Sequence, residues 1–443
     1  MNANRGLIVI CTAAFLVPFM GSSLNLALPE ISDTLSMKAV TLTWLATAYL
    51  ISTAIFQIPF ARLADLLGRK KVFLAGVAIF SLCSFLCGFA NSSGMLIALR
   101  FLAGIGSAMM MGTNLAILTS LFPPEKRGKA LGINTAVVYA ALAAGPFVGG
   151  MLTHYIGWQS IFFVSAGIGV LVLALSSFFL KGEWVESRGE RFDFIGSLLY
   201  GAGLAGVIYG FSNLPNVQGI ICLAAGVAAF LFFIYFEKRQ KYPIFNVRLF
   251  SGNRVFALSS LAALINYAAT SAIAFMLSLY LQYVKGLDAR TAGLILISQA
   301  CVQSAFSLVA GGLSNRFSAS KMATLGMLII VVGLTGLAFL SADTAYGVII
   351  ALLIALGIGF GIFSSPNTNV IMSAVDKKYY TQASATTGTM RLTGQAFSMG
   401  IAGMAISCYM GNQKITPALT GVFMQSLQMT FAVFVGLCIV GVW

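Results

Sequence analysis

Long apolar runs follow one another from one end of this chain to the other, separated by short polar links. An α-helix needs about 20 apolar residues to cross the hydrocarbon core of a bilayer. Runs of that length lie near residues 6–29, 41–61, 72–91, 94–121, 130–153 and 158–180. Two more follow at 194–214 and 217–236, then six at 255–284, 291–313, 322–341, 345–372, 382–408 and 418–442. None alternates with period two, and lipid offers the backbone no partner outside its own segment, so fourteen transmembrane helices are expected. Only 9% of residues are charged, against roughly 25% in soluble domains, which excludes a soluble globular fold. The first run is too long for a signal-peptide core and is read as part of the mature chain.

A net charge of +14 would suggest nucleic acid in a soluble protein, but here its placement reads as topology. With the N-terminus inside, 20 Lys/Arg fall on the inner side and 4 outside (Lys38, Lys285, Arg290 and Lys414), while Arg100 and Arg391 lie within spans. That asymmetry predicts a multi-pass protein of the plasma (inner) membrane with both termini cytoplasmic and membrane lipid as its first partner. There is no basic tail or aromatic-interleaved basic patch, so no nucleic-acid partner is expected. Cys11, Cys83, Cys87, Cys222, Cys301, Cys408 and Cys438 all sit in or beside apolar runs. No His or carboxylate joins them, so they read as small packing residues, and neither a metal nor a cofactor is expected. The last run ends at Trp443, which leaves open whether a tail follows.

Two longer links, 181–193 and 237–254, bracket the Gly/Ala-rich pair of spans joined around Pro215 and Asn216. The expected organisation is an N-terminal six-helix bundle over 1–181, an inserted two-helix segment with its flanking links over 182–254, and a C-terminal six-helix bundle over 255–443. A degenerate repeat supports the division. The stretch 61–73, ARLADLLGRKKVF, precedes span three, and its echo 311–321, GGLSNRFSASK, holds the same place in the second bundle. Leu63, Asp65 and Gly68 find Leu313, Asn315 and Ser318 at matching offsets. Parallel six-helix repeats flanking a central site are one way transporters are built.

The first copy carries the charge. Asp65 and Arg69 are spaced for an i,i+4 ion pair if the segment is helical. Gly68 permits a tight turn, and Arg69, Lys70 and Lys71 form a cationic block at a membrane edge. An ordinary positive-inside loop would need the basic residues but neither the acid nor the glycine. Arg100, inside span four, is costly unless it faces a cavity or a partner; the alternative is snorkelling to the near interface. Ala141, Gly145 and Gly149, with Gly150 and Pro146, allow close helix contact and a bend. Among the polar residues within spans, Gln57, Asn266, Tyr267, Gln299, Gln303 and Asn367 are candidates for lining a substrate cavity. Asn25, Asn114, Arg100 and Arg391 are candidates for cavity or coupling roles. For each uncharged one the competing reading is an interhelical hydrogen bond, worth about 1 kcal/mol. Arg391 could pair with Asp376 or bind an anionic group. His154 is expected at the outer interface rather than in a proton relay. No HExxH, GxSxG or GxxxxGK[ST] pattern occurs, so neither an enzyme nor direct ATP drive is indicated.

Together these motifs resemble the major facilitator superfamily and, within it, the fourteen-helix drug:proton antiporter family. Asp65, Gly68, Arg69 and Lys70 fit the loop-2/3 motif GxLADRxGRK, from which Ala61 and Leu66 depart. Arg100 and Gly104 fit RxxxG, although Ala103 replaces its usual glutamine. Gly145, Pro146, Gly149 and Gly150 fit the GPxxGG antiporter motif, and Asn25, Ala27, Leu28 and Pro29 fit the end of the first-helix motif. Phe192, Asp193 and Gly196 resemble the start of the family's inserted pair. Arg248, Leu249 and Phe250, then Tyr280, Leu281, Gln282, Gly286, Ala292 and Gly293, resemble its LF…YLQ…G…AG signature.

The resemblance implies an all-α major facilitator fold and secondary active transport by alternating access. It further implies multidrug-efflux-like export of small amphipathic compounds, with a small-molecule substrate and protons as partners and Asp65, Gly68, Arg69 and Lys70 as a cytoplasmic gate. One departure stands out: the family's usual first-helix aspartate is Met20 here, and no Asp or Glu lies deep in any span. That motivates an alternative, a carrier of an endogenous neutral or anionic metabolite that is not proton-driven. A non-transporting membrane receptor is the reading from a different class.

Overall fold

The computed structural model describes residues 3–442 apart from 187–188, 215, 246, 248–249, 251, 314–316, 376–379, 412 and 417–418, and among the described residues it contains no strand. The first half comprises α1 (Ala3–Thr34), α2 (Ala39–Leu67), α3 (Arg69–Cys87), α4 (Ser93–Leu121), α5 (Pro124–Ile156) and α6 (Gln159–Phe179). The inserted pair is α7 (Phe194–Ser212) and α8 (Val217–Glu237). The second half runs through α9 (Arg254–Thr270), α10 (Ile273–Leu279), α11 (Ala289–Leu313), α12 (Ala319–Ala338), α13 (Tyr346–Ser373), α14 (Tyr380–Met410) and α15 (Thr420–Val442).

Local chemistry sets the helix boundaries. Ser92, Asp193 and Asn253 accept hydrogen bonds from the backbone N–H groups of Met95, Gly196 and Phe256 at 3.3, 2.8 and 3.0 Å, satisfying donors that a helix start leaves open. Pro124 occupies the first turn of α5, where its missing N–H costs nothing. Gly68, at φ +117°, makes the corner between α2 and α3 that an L side chain would strain.

Among the described residues, thirteen helical stretches are long and apolar enough to cross a bilayer. The fourteenth expected span corresponds to α14, which is long enough but carries Arg391, Gln395 and several Thr and Gly. Two details differ from expectation. The span expected as one helix over 255–284 is broken by a turn at 271–272 and ends in a π-helical turn, Tyr280–Val284. In addition, α2 continues six residues beyond its expected end, so Asp65 is helical while Arg69 opens the next helix.

The halves repeat one packing pattern. Helices α2 and α3 pack on α4, α1 on α5 and α3 on α6; correspondingly α11 and α12 pack on α13, α9 on α14 and α12 on α15. Reciprocal glycines allow the closest crossings. A Cβ on Gly76 would lie 2.8 Å from the Gly106 carbonyl oxygen, and one on Gly106 would lie 2.7 Å from that of Gly76. In the second half Gly326 and Gly359 stand in the same relation at 2.7 and 2.8 Å. Lipid tails are as apolar as Leu or Phe, so such van der Waals contact, rather than the hydrophobic effect, holds the helices together.

The halves meet along two seams, α5 with α11 and α2 with α14. Helix α7 lies on the second seam and touches both of its helices. The Tyr200 hydroxyl donates to the Ala54 carbonyl at 3.1 Å, and the rings of Phe211 and Phe397 are 6.2 Å apart. Outward faces are apolar, with Phe178, Leu198, Val217 and Phe339 all exposed, as a lipid-facing surface requires.

Candidate functional site

A cavity of about 1440 Å³ lies between the halves. It reaches one end of the molecule, where Arg62, Asp65, Arg69, Glu190 and residues 241–245 contribute to its wall; this is called the basic end below. Of the residues singled out from the sequence, Asn25, Gln57, Asn114, Tyr267, Gln303, Arg100 and Arg391 line it. Asn114 is also structural, its amide donating to the Ile10 carbonyl at 3.0 Å and tying α4 to α1. Tyr139, Thr386, Gln395 and Met399 complete the polar and adaptable part of the wall. None of these four is among the candidates from the sequence: a Thr or Met within an apolar run carries no directional signal, while Gln395 and Tyr139 carry the same signal as Gln57 and Tyr267.

Asn266, Gln299 and Asn367 do not line the cavity. The Asn266 amide faces the Met327 sulfur at 3.4 Å, and the Asn367 amide donates to the Ser259 carbonyl at 3.1 Å, so both tie α9 to its neighbours. Asn369, two residues on from Asn367 in α13, is exposed. Met20 is fully buried beside Ser84 and away from the cavity wall.

Arg100 does not snorkel. Only 1% of it is exposed. Its guanidinium lies 4.2 Å from the Tyr49 ring centroid, a cation–π contact, and its Nε donates to the Leu45 carbonyl at 3.5 Å. The Tyr49 hydroxyl donates in turn to Ser107 at 2.9 Å. Arg391 is half-buried in the wall, and Asp376, its proposed acidic partner, lies outside the described residues.

At the basic end Arg69 organises the corner between α2 and α3. Its Nε donates to Asp65 at 2.8 Å, and its Nη1 reaches Ser120 at 3.0 Å and Glu186 at 3.1 Å. The link from α6 to α7 straps this corner. The backbone N–H of Arg69 donates to the Trp184 carbonyl at 3.0 Å, that of Lys70 to the Glu183 carboxylate at 2.8 Å, and that of Glu186 to the Asp65 carbonyl at 3.2 Å. Arg62 pairs with Glu190. The strap was not foreseen, although a signal existed: Glu183, Glu186, Glu190 and Asp193 are four of the chain's 12 acids, set opposite a basic corner.

The far end is closed by contacts between the halves. Ser278, Gln282 and Tyr283 donate to the carbonyls of Asn25, Leu26 and Pro29 at 2.5, 3.2 and 3.5 Å. On α5, Gly145 and Gly149 press against Ser22 and Ser23 of α1, while Gly150 abuts the Ala289 carbonyl and Pro146 presents its own carbonyl to Gly293 of α11. A side chain on any of these glycines would separate the helices. The YLQ…G…AG stretch thus forms the corner pressed on α1 and α5. Nearby, His154 lies 3.2 Å from Asp288, and Arg290 donates to the Tyr155 hydroxyl at 2.8 Å.

Two similar halves around a cavity that is closed at one end are the geometry of an alternating-access carrier. The family model described as "Major Facilitator Superfamily" matches residues 10–399. The chain belongs to that superfamily. The transporter is 30% identical to the methylenomycin A resistance protein of Bacillus subtilis (strain 168), over 90% of this chain and 87% of that one. It is 29% identical to the riboflavin transporter RibZ of Clostridioides difficile (strain 630), over 89% and 86%. Its fold matches the crystal structure of a bacterial homologue of the human lysosomal transporter Spinster, in an inward-facing and unoccupied conformation. That match has a TM-score of 0.71 at 18% identity and covers 100% of this chain and 96% of the other.

Proposed function

We propose that this transporter exports small amphipathic compounds by alternating access, with inward proton flow as the drive. The cavity between the halves carries this reading: it is closed at the far end by helix-to-helix contact and reaches the basic end. On the positive-inside rule the basic end is cytoplasmic, as are both termini, and the conformation is inward-facing. The moving units are the bundles over 1–181 and 255–443, with 182–254 as the inserted segment. Asp65, Gly68, Arg69 and Lys70 form the cytoplasmic gate, and Gly145, Pro146, Gly149 and Gly150 form the outer seam. The resistance protein among the relatives supports export.

A second reading, a carrier of an endogenous neutral or anionic metabolite without proton drive, has its own support. Met20 lies off the cavity, the wall's described carboxylates are Asp65 and Glu190 alone, and one relative is a riboflavin transporter. One experiment separates the two. Inverted vesicles containing the full chain are loaded with fluorescent amphipathic probes under an imposed pH gradient. Accumulation that collapses on adding an uncoupler supports antiport; accumulation that survives supports the second reading; no transport of any probe under either condition overturns the exporter.

A further inference from the structure

The charge on the cavity wall is one-sided. Its described carboxylates, Asp65 and Glu190, both lie at the basic end and are already engaged, by Arg69 and Arg62. Lys241, Arg391 and Arg100 remain on the same wall with no ion pair to any described carboxylate. Arg391 is the one placed to meet a ligand. It stands eleven residues into the 31-residue α14, about 16 Å along its axis and one turn beyond Gly388, which lies against Gln57 in the interior of α2. A guanidinium at that depth is costly and is kept where something satisfies it. Around it the wall is apolar and hydrogen-bonding, with Tyr267, Gln303, Gln395 and Tyr139 all half-buried. Arg100, stacked on Tyr49, adds a second uncompensated positive charge on the same wall. A cation entering this space would meet two like charges and, among the described residues, no carboxylate left unpaired. An anion would gain a planar, two-pronged donor in a medium that screens charge poorly.

We propose that the cavity binds amphipathic anions, an apolar or aromatic body bearing a carboxylate or similar acidic group, and that Arg391 pairs with the acidic group. Lys241 at the mouth favours entry of the same charge. The proposal rests on the reading of this cavity as the transport site.

The test measures binding alone. Purified full-length protein in neutral detergent is titrated with bicyclic and tricyclic aromatics, each as its carboxylate, its carboxamide and its methylammonium counterpart, and thermal stabilisation is read. Carboxylates are expected to stabilise and the other two forms to do so weakly or not at all. Arg391→Gln should weaken carboxylate binding about tenfold or more, and Arg391→Lys, which keeps the charge but loses the two-pronged geometry, should weaken it severalfold. The lysine variant carries the test if the glutamine variant does not fold. Stabilisation by the ammonium or amide forms alone, by no form, or by carboxylates equally in Arg391→Gln would overturn the proposal. So would stabilisation by phosphatidylglycerol and not by any aromatic carboxylate, since the cations would then serve lipid. No ion gradient is involved, so a protein that binds anions but moves nothing would fail only the exporter reading.

Discussion

Apart from the exposed contacts of His154 with Asp288 and of Arg290 with Tyr155, the halves touch at the far end of the molecule through neutral groups. Hydroxyl and amide donors on α10 and its π-helical turn meet backbone carbonyls of α1, and bare glycines of α5 and α11 meet each other's backbone. At the basic end the bonds are ionic. Arg69 with Asp65 and Glu186, and Arg62 with Glu190, tie the corner between α2 and α3 to the strap that links α6 to α7. The two kinds of closure obey different physics. Close packing and neutral hydrogen bonds act over one contact distance and ignore salt. Ion pairs reach about 8 Å at physiological ionic strength and are screened beyond it. The far end is therefore sealed by shape, and the basic end is latched by charge whose partners leave the seam between the halves unbridged.

Breaking the seal should have the largest effect. Gly293→Leu sets a side chain against the Pro146 carbonyl, and overpacking of this kind costs about 1–3 kcal/mol. Transport should fall about tenfold or more, and maleimide labelling of an Asn25→Cys probe from the outside should rise. Unchanged labelling would show that this contact does not hold the far end shut.

Breaking the latch comes next. Arg69 is buried and Asp65 largely so, and Asp65→Asn leaves the guanidinium short of its best partner, a loss of about 1–2 kcal/mol. Vesicle transport should drop several-fold while probe binding in detergent stays near wild type; loss of binding would make Asp65 part of the substrate site instead. Glu186→Gln should do less, because Glu186 is exposed. Its effect should be visible at low salt and vanish at high salt, and a salt-independent effect would contradict the charge-latch description.

The smallest effect is expected at the exposed far-end contact of His154 with Asp288. Hydrogen bonds from Thr291, with a lesser contribution from His154, hold the Asp288 carboxyl below its ordinary range against partial burial. The unfolded chain then binds a proton more readily than the folded one, so this stabilisation is present at neutral pH and fades as pH falls below about 4. Both side chains are 39% exposed, so Asp288→Asn should cost a few tenths of a kcal/mol at most at pH 7. Thermal melts of the two proteins should converge on acidification, and a gap that widens in acid would refute the assignment.

Much of the latch was legible because its chemistry is local: Asp65, Gly68 and Arg69 lie within five consecutive positions. The strap was not, because Glu183 and Glu190 meet residues more than one hundred positions away, and nothing in the link's own sequence says where it folds. The cavity residues divide for a different reason. Gln57 and Gln303 line it while Gln299 and Asn266 do not, although all four are amides within apolar runs. A helix in water shows its buried side by amphipathic spacing; in lipid both sides are apolar and that spacing is lost.

The sequence by itself determined that this chain crosses a membrane many times, that two six-helix halves flank an inserted pair, and which superfamily it joins. Run length, charge asymmetry and short motifs are one-dimensional quantities. Only the tertiary structure decided that Arg100 stacks on Tyr49, that Arg391 lines a cavity with no ion pair to a described carboxylate, and that the inserted pair packs along the seam of α2 and α14. Those outcomes depend on how each helix is turned about its own axis. With no hydrophobic gradient between core and lipid to set that rotation, close packing against neighbouring helices sets it.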